Sequence, residues 1–215
     1  MQTQCFAKWH EDTKGYAYRD GTILQYGDGW KLLGNVILLN PGSAKPLRFE
    51  KANDTFEKNY PYFADEGEYY PFSVDPLMRS LVGLFKQKFP EGGVIRIYNL
   101  FNLAQPKSGE ALEVFAKAPD REWMTTPMEK VDFHDAPVIV ATGGSVHAHP
   151  KLEDRLRRYI AKVPADKLYA IVRTGDKTFA VQKAEPDDNG LVESYHPSYA
   201  CHYGNKTVWE NDTVV

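Results

Sequence analysis

The run Val36-Ile37-Leu38-Leu39, closed by Asn40-Pro41-Gly42-Ser43, constrains the fold more than any other stretch of the chain. An apolar run this short, with no polar alternation and with turn residues at its end, predicts a strand buried on both faces, as in parallel sheets. Pro41 and Gly42 stop the strand and turn the backbone. In open α/β sheets ligands bind beyond the carboxyl ends of the strands, which is where Asn40 stands. By itself the stretch also reads as an ordinary strand-to-loop turn.

Other segments repeat the pattern. Val94–Asn99, Pro137–Ala141 and Leu168–Val172 are short apolar runs that predict further strands, with a fifth at Phe179–Gln182. Between them, Asp75-Pro76 begins a helix with Asp as N-cap and Pro at the first position, its apolar face carrying Leu77, Leu81, Leu84 and Phe85. Residues 110–135 read as partly helical, and a helix over about 150–162 carries Arg155, Arg157, Arg158 and Lys162. Tyr16 to Tyr26 predicts a hairpin around Asp20-Gly21. Residues 44–72 read as a long loop rich in tyrosine, phenylalanine and proline. Strands alternating with helices predict a three-layer α/β sandwich with a mainly parallel central sheet. The chain divides as a single α/β domain over 1–215, with a hairpin-like extension at 1–33, a core at 34–200 and a polar tail at 201–215.

Bulk properties narrow the function. An apolar fraction of 42% with 13% aromatics supports a packed core, which excludes a disordered chain. A net charge of -3 argues mildly against nucleic-acid binding unless basic residues cluster on one face. Two distant cysteines, Cys5 and Cys201, imply a reducing compartment, no disulfide framework and no four-cysteine metal cluster. With no apolar stretch of membrane-spanning length and no signal pattern, the expectation is a soluble cytoplasmic protein without a membrane partner.

Three segments end alike, in Asn40-Pro41-Gly42, in Tyr98-Asn99-Leu100 and in Tyr195-His196-Pro197-Ser198. If they are parallel neighbouring strands, the ends bring two amides and an imidazole to one rim. An amide both donates and accepts, so it can read a base edge or orient a water; an imidazole can donate to an oxygen that gains negative charge. No phosphate loop, zinc-protease pair or nucleophile elbow occurs. Thr142-Gly143-Gly144-Ser145 reads as a tight turn. His147 and His149 read as loop histidines rather than metal ligands, so no cofactor and no metal are expected.

In order, these stretches resemble the motif series of the uracil-DNA glycosylase superfamily across roughly residues 34–200. Leu38-Leu39-Asn40-Pro41-Gly42 is similar to its first motif, closest to the Gly-Ile-Asn-Pro-Gly form of the mismatch-specific and thymine-DNA glycosylases. Tyr70-Pro71-Phe72 with the following helix resembles the Pro-Phe segment of bacterial and archaeal branches. Arg96-Ile97-Tyr98-Asn99-Leu100, running on to Pro106, resembles their Tyr-x-x-Asn strand, although Tyr98 and Asn99 are adjacent here. Pro137 to Gly143 resembles the strand ending in Leu-Gly, and Tyr195-His196-Pro197-Ser198 matches the last motif. The same order also resembles an uncharacterised bacterial family of unknown function. Many Pro-Phe branches carry an iron–sulfur cluster on four cysteines, which two cysteines cannot supply.

The resemblance implies a glycosylase that hydrolyses the bond between deoxyribose and a flipped uracil-like, damaged or modified base, acting as a monomer on single- or double-stranded DNA. Asn40 would position the attacking water, and His196 would donate to the departing base. Phe72 would stack on that base and Asn99 would read its pairing edge, with Gly42 beside it. Ser43, Ser198, Tyr199, His202 and Tyr203 would contact DNA, and Arg155, Arg157 and Arg158 either add backbone contacts or form a solvated face. The alternatives are a non-catalytic nucleic-acid or nucleotide-binding domain of the same fold and an α/β enzyme acting on a free nucleoside or nucleotide.

Overall fold

The structure, a computed structural model, describes residues 2–42, 44–47, 68–201 and 205–210. The expected site residues Ser43, His202 and Tyr203, and most of the 44–72 loop, lie outside the described residues.

The strands are β1 (Thr3–Glu11), β2 (Ala17–Gly27), β3 (Leu32–Leu38), β4 (Tyr70–Phe72), β5 (Gly92–Asn99), β6 (Val138–Val140), β7 (Leu168–Gly175), β8 (Thr178–Lys183) and β9 (Lys206–Trp209). Among the described residues they form one nine-stranded sheet in the order β4-β1-β2-β5-β3-β6-β7-β8-β9. The helices are α1 (Pro76–Lys86), α2 (Ser108–Lys117), α3 (Pro150–Ile160) and the short α4 (Pro197–Ala200).

The architecture is α/β, but the sheet is mixed, which corrects the expectation of a mainly parallel one. The centre β5-β3-β6-β7 is parallel, as is β8–β9. The pairs β4–β1, β1–β2, β2–β5 and β7–β8 are antiparallel. The added strands come mainly from the two chain ends. β1 and β2 are part of the sheet rather than an extension, and residues 206–209 of the supposed tail form β9.

The hairpin also falls elsewhere. β2 runs unbroken through Asp20-Gly21, and the turn lies at Asp12–Tyr16, closed by Asp12 N–H to the Tyr16 carbonyl at 3.0 Å. Gly21, at φ +57°, faces a register shift between Phe6 and Lys8. The left-handed preference that suggested a turn is used for a bulge instead.

Layering follows from right-handed crossovers. The step from β3 to β5 moves one way across the sheet and the steps from β5 to β6 to β7 move the other way, so their helices fall on opposite faces. Strand alternation sorts the core accordingly. Val36, Leu38, Ile139 and Ile171 pack with Leu81, Leu84 and Phe85 of α1 and Ala200 of α4. Ile37, Leu39, Val138, Val140 and Ala170 pack with Ala111 and Phe115 of α2 and Leu152, Leu156 and Ile160 of α3. Central strands covered on both faces need apolar residues at every position, which is why their sequences read as unbroken runs. The Asp75 side chain accepts from the Met78 N–H at 2.8 Å, with Pro76 opening α1.

Candidate functional site

The first parallel strand, β3, has the second, β5, on one side and the third, β6, on the other. That reversal is a topological switch point, and the crevice outside the carboxyl ends there is where such sheets bind ligands. A cavity of about 770 Å³ occupies this place, lined among others by Leu39, Thr142, Gly143, Ser194, His196 and Ser198.

His196 does not end a strand. The segment before it is irregular and runs beside β7, the Tyr195 N–H donating to the Ile171 carbonyl at 2.8 Å. His196 is the N-cap of α4. The Ser198 N–H donates to its Nδ1 at 3.2 Å, and the Ser198 hydroxyl lies 2.7 Å from the same nitrogen. A backbone N–H can only donate, so Nδ1 accepts, the hydroxyl donates to it as well, and the ring proton of the neutral imidazole is on Nε2. The turn after β6 approaches closely: Gly143 has φ +70°, and a Cβ there would meet the His196 Cβ at 3.1 Å. Ser194 ties the same two segments together, its hydroxyl accepting from the Thr142 N–H at 3.1 Å.

Asn40 stands behind the cavity wall. Its Nδ2 donates to the Gln105 carbonyl at 3.2 Å, and its Oδ1 accepts from the Ser108 hydroxyl at 3.4 Å. Ser108 and Leu39 line the cavity. Asn40 therefore anchors the 105–108 segment and reaches the cavity through Ser108. Gly42, at φ +71°, has no described residue within 4 Å of where a Cβ would stand.

Phe72 and Asn99 sit differently. Phe72 is buried in β4, paired with Cys5 of β1, and its ring lies 4.6 Å from the Arg19 guanidinium, with Trp9 edge-on at 6.1 Å. Asn99 lines a second cavity of about 420 Å³, on the side of β1, β2 and β5. Among the described cavities, the structure thus brings together His196, Ser198 and Tyr199, places Asn40 one side chain away, and puts Asn99 elsewhere. The arginines of α3 also divide. Arg155 is buried, donating to the Thr126 carbonyl and to the Tyr159 hydroxyl, so it is no part of a solvated face. Arg157 donates to the Asn189 carbonyl at 2.7 Å.

Residues not singled out by sequence reasoning complete the surroundings. Arg173, Glu193 and Tyr195 line the His196 cavity. Tyr195 and Tyr199 are 38% and 51% exposed and stack at 6.1 Å with 25° between their planes. Arg19 is fully buried and donates to the Pro41 carbonyl, while its Nε and Nη1 have no hydrogen-bond partner among the described residues. Burial pulls its guanidinium down to about 10, with Asp75 opposing that shift. Its only sequence signal is a charge in a strand where its neighbours Tyr18 and Asp20 take the opposite face. Among the described residues, no group of three His, Cys, Asp or Glu side chains is placed to hold a metal, and no helix is long and apolar enough to cross a membrane.

Fold and site define an α/β sandwich with a histidine-bearing cavity at the switch point of its parallel centre. No family model, no curated protein and no solved structure matches the chain.

Proposed function

We propose that the protein is a DNA glycosylase acting on a uracil-like, damaged or modified base, with the His196 cavity as its reaction site. The observation that carries this reading is the placement of His196 on the switch-point cavity, with its Nδ1 held by the Ser198 N–H. Cleavage sends the electrons of the C1′–N bond onto the base, and a donor aimed at the oxygen where that charge grows is worth roughly 3–4 kcal/mol. The imidazole serves as a hydrogen-bond donor without changing its own protonation. The cation-like sugar then takes the oxygen of a water, which releases its proton to solvent. That water needs orientation more than deprotonation, and Ser108, itself oriented by Asn40, offers a hydroxyl on the cavity wall. Tyr195 and Tyr199 are exposed aromatic platforms of the kind on which unpaired bases stack, and Arg173 offers a charge for a phosphate.

A second reading, a nucleic-acid or nucleotide-binding domain without turnover, is favoured by the engagement of the Asn40 carboxamide at both ends. The test is incubation with oligonucleotides carrying uracil, mismatched, damaged and hypermodified bases, followed by alkali to cut abasic sites. Strand breaks that disappear in His196→Ala establish the glycosylase. Binding that weakens steeply with salt, with no breaks on any substrate, establishes the second reading. Neither binding nor breaks removes both.

A further inference from the structure

The aromatic pair on the rim of the His196 cavity is fixed in place before anything binds there. The Tyr195 N–H donates to the Ile171 carbonyl at 2.8 Å, which pins that residue's backbone to β7. Tyr199 sits in α4, where its N–H donates to the His196 carbonyl at 2.9 Å. Both rings meet Phe179 of β8 edge-on, at 5.2 and 5.7 Å, and Phe179 is buried. A buried ring beneath both tyrosines sets their positions, so covering the pair costs little rotamer freedom. Yet the pair is left open. Of the four large apolar side chains exposed among the described residues, two are these neighbours, and both line the cavity. Exposed aromatic surface held rigidly beside a cavity suits a planar partner.

Charge is sparse on the same rim. Arg173 and Glu193 are its lining ions, of opposite sign. The Arg173 guanidinium is also engaged by its own turn, its Nε donating to the Gly175 carbonyl at 3.0 Å and its Nη2 lying 3.5 Å from Asp176. A paired duplex presents bases already stacked on both faces, so a protein holds it chiefly through cations on its phosphates. The described lining offers one cation and two aromatic rings. A base face is open to a ring only where the strand is unpaired, and there stacking tolerates any sequence because every base has a π-face.

We propose that the Tyr195–Tyr199 pair stacks on the base next to the target nucleotide, and that the site therefore takes unpaired DNA in preference to a paired duplex. The inference rests on the reading of the His196 cavity as a nucleic-acid site and adds the form of the substrate.

Fluorescence anisotropy on the intact protein tests it, with one labelled uracil-bearing oligonucleotide in three forms: single-stranded, fully paired, and paired except for a short unpaired stretch around the uracil. The single strand and the interrupted duplex bind about tenfold or more tighter than the paired duplex. Tyr195→Leu and Tyr199→Leu keep an apolar side chain against Phe179 but remove the ring. Each weakens single-strand binding by about tenfold and leaves the paired duplex unchanged. Tyr199→Trp, which restores a ring, recovers single-strand binding, and thermal melts of the variants separate loss of stacking from loss of fold. The proposal is overturned if the paired duplex binds as tightly as the single strand, if the leucine variants bind the single strand as tightly as the native protein, or if Tyr199→Trp binds no better than Tyr199→Leu. Excision that depends on His196 would leave the reading of the site standing in each of those cases. No binding of any form, with no strand breaks, removes both.

Discussion

The chain uses one local device twice. His149-Pro150 opens α3 and His196-Pro197 opens α4, and in each the N–H two residues on donates to the histidine Nδ1, from Lys151 at 3.1 Å and from Ser198 at 3.2 Å. Both are N-caps followed by proline at the first helical position. His149, read from sequence as a loop histidine, is thus a structural cap, its ring edge-on to Phe115 at 5.2 Å. His196 differs in three respects: it lines the switch-point cavity, Gly143 lets the turn after β6 close on it, and the Ser198 hydroxyl adds a second hydrogen bond at Nδ1. An identical local motif is scaffolding in one place and a candidate reaction centre in the other. The distinction comes from what the sheet delivers beside it.

The largest effect expected from that contrast is on excision. Under the glycosylase reading His196→Ala lowers single-turnover cleavage of a substrate oligonucleotide by about 10²–10³-fold, whereas His149→Ala leaves the rate unchanged. Both variants lose a cap, at roughly 1 kcal/mol in urea unfolding. Equal rates in the two variants would abolish the contrast. Next is the close approach at Gly143. Gly143→Ala carries both a left-handed backbone and a contact with the His196 Cβ, costing about 2 kcal/mol of stability together with activity. Gly42→Ala, equally left-handed but with no described residue close to the added Cβ, costs about 1 kcal/mol from the backbone.

Ser198→Ala makes His196 resemble His149 by removing the second hydrogen bond at Nδ1. A loss of about tenfold in cleavage with little change in melting temperature is the expected result, and an unchanged rate would show that the backbone N–H alone sets the tautomer.

The smallest effect concerns pH. His147 lies 2.7 Å from Glu153 and 3.0 Å from Glu193, the latter on the His196 cavity. The hydrogen bond with Glu153 raises its pKa above the ordinary 6.5, partial desolvation works against the rise, and Glu193 adds to it. A raised folded-state pKa contributes stability that is complete below about pH 6.5 and is lost as pH climbs through the folded value. Because these groups are largely solvent-exposed, the contribution is under about 1 kcal/mol. His147→Gln abolishes this pH dependence, which denaturant melts at pH 6 and pH 8 would reveal.

Legibility in the sequence followed burial. β3, β5, β6 and β7 are covered on both faces and are readable as unbroken apolar runs; α1 is readable from Asp75-Pro76. The flanking strands are harder. β1 and β2 interrupt their apolar residues with charged and polar ones such as Lys8, Arg19 and Gln25, and Asp20-Gly21 has the chemistry of a tight turn, which the pairing of β2 with both β1 and β5 overrides. Phe72 is legible as an aromatic, but not as a strand residue facing Arg19. Asn40 and Asn99 do stand where β3 and β5 finish, and His196 stands at a helix start, so likeness of sequence was no guide to which of them would meet. Asn99 lines the other cavity because β2 pairs antiparallel on the far side of β5, bringing Asp20 and Gly21 to that rim.

What the sequence determined by itself was local: the buried central strands and the proline-led start of α1, set by backbone sterics and by hydrogen bonds within a few residues. What only the tertiary structure decided was company. Crossover direction and strand order chose which histidine meets Gly143 and which meets Phe115, and which asparagine oxygens were left without donors. Those outcomes depend on pairings between residues far apart in the chain, which no local pattern encodes.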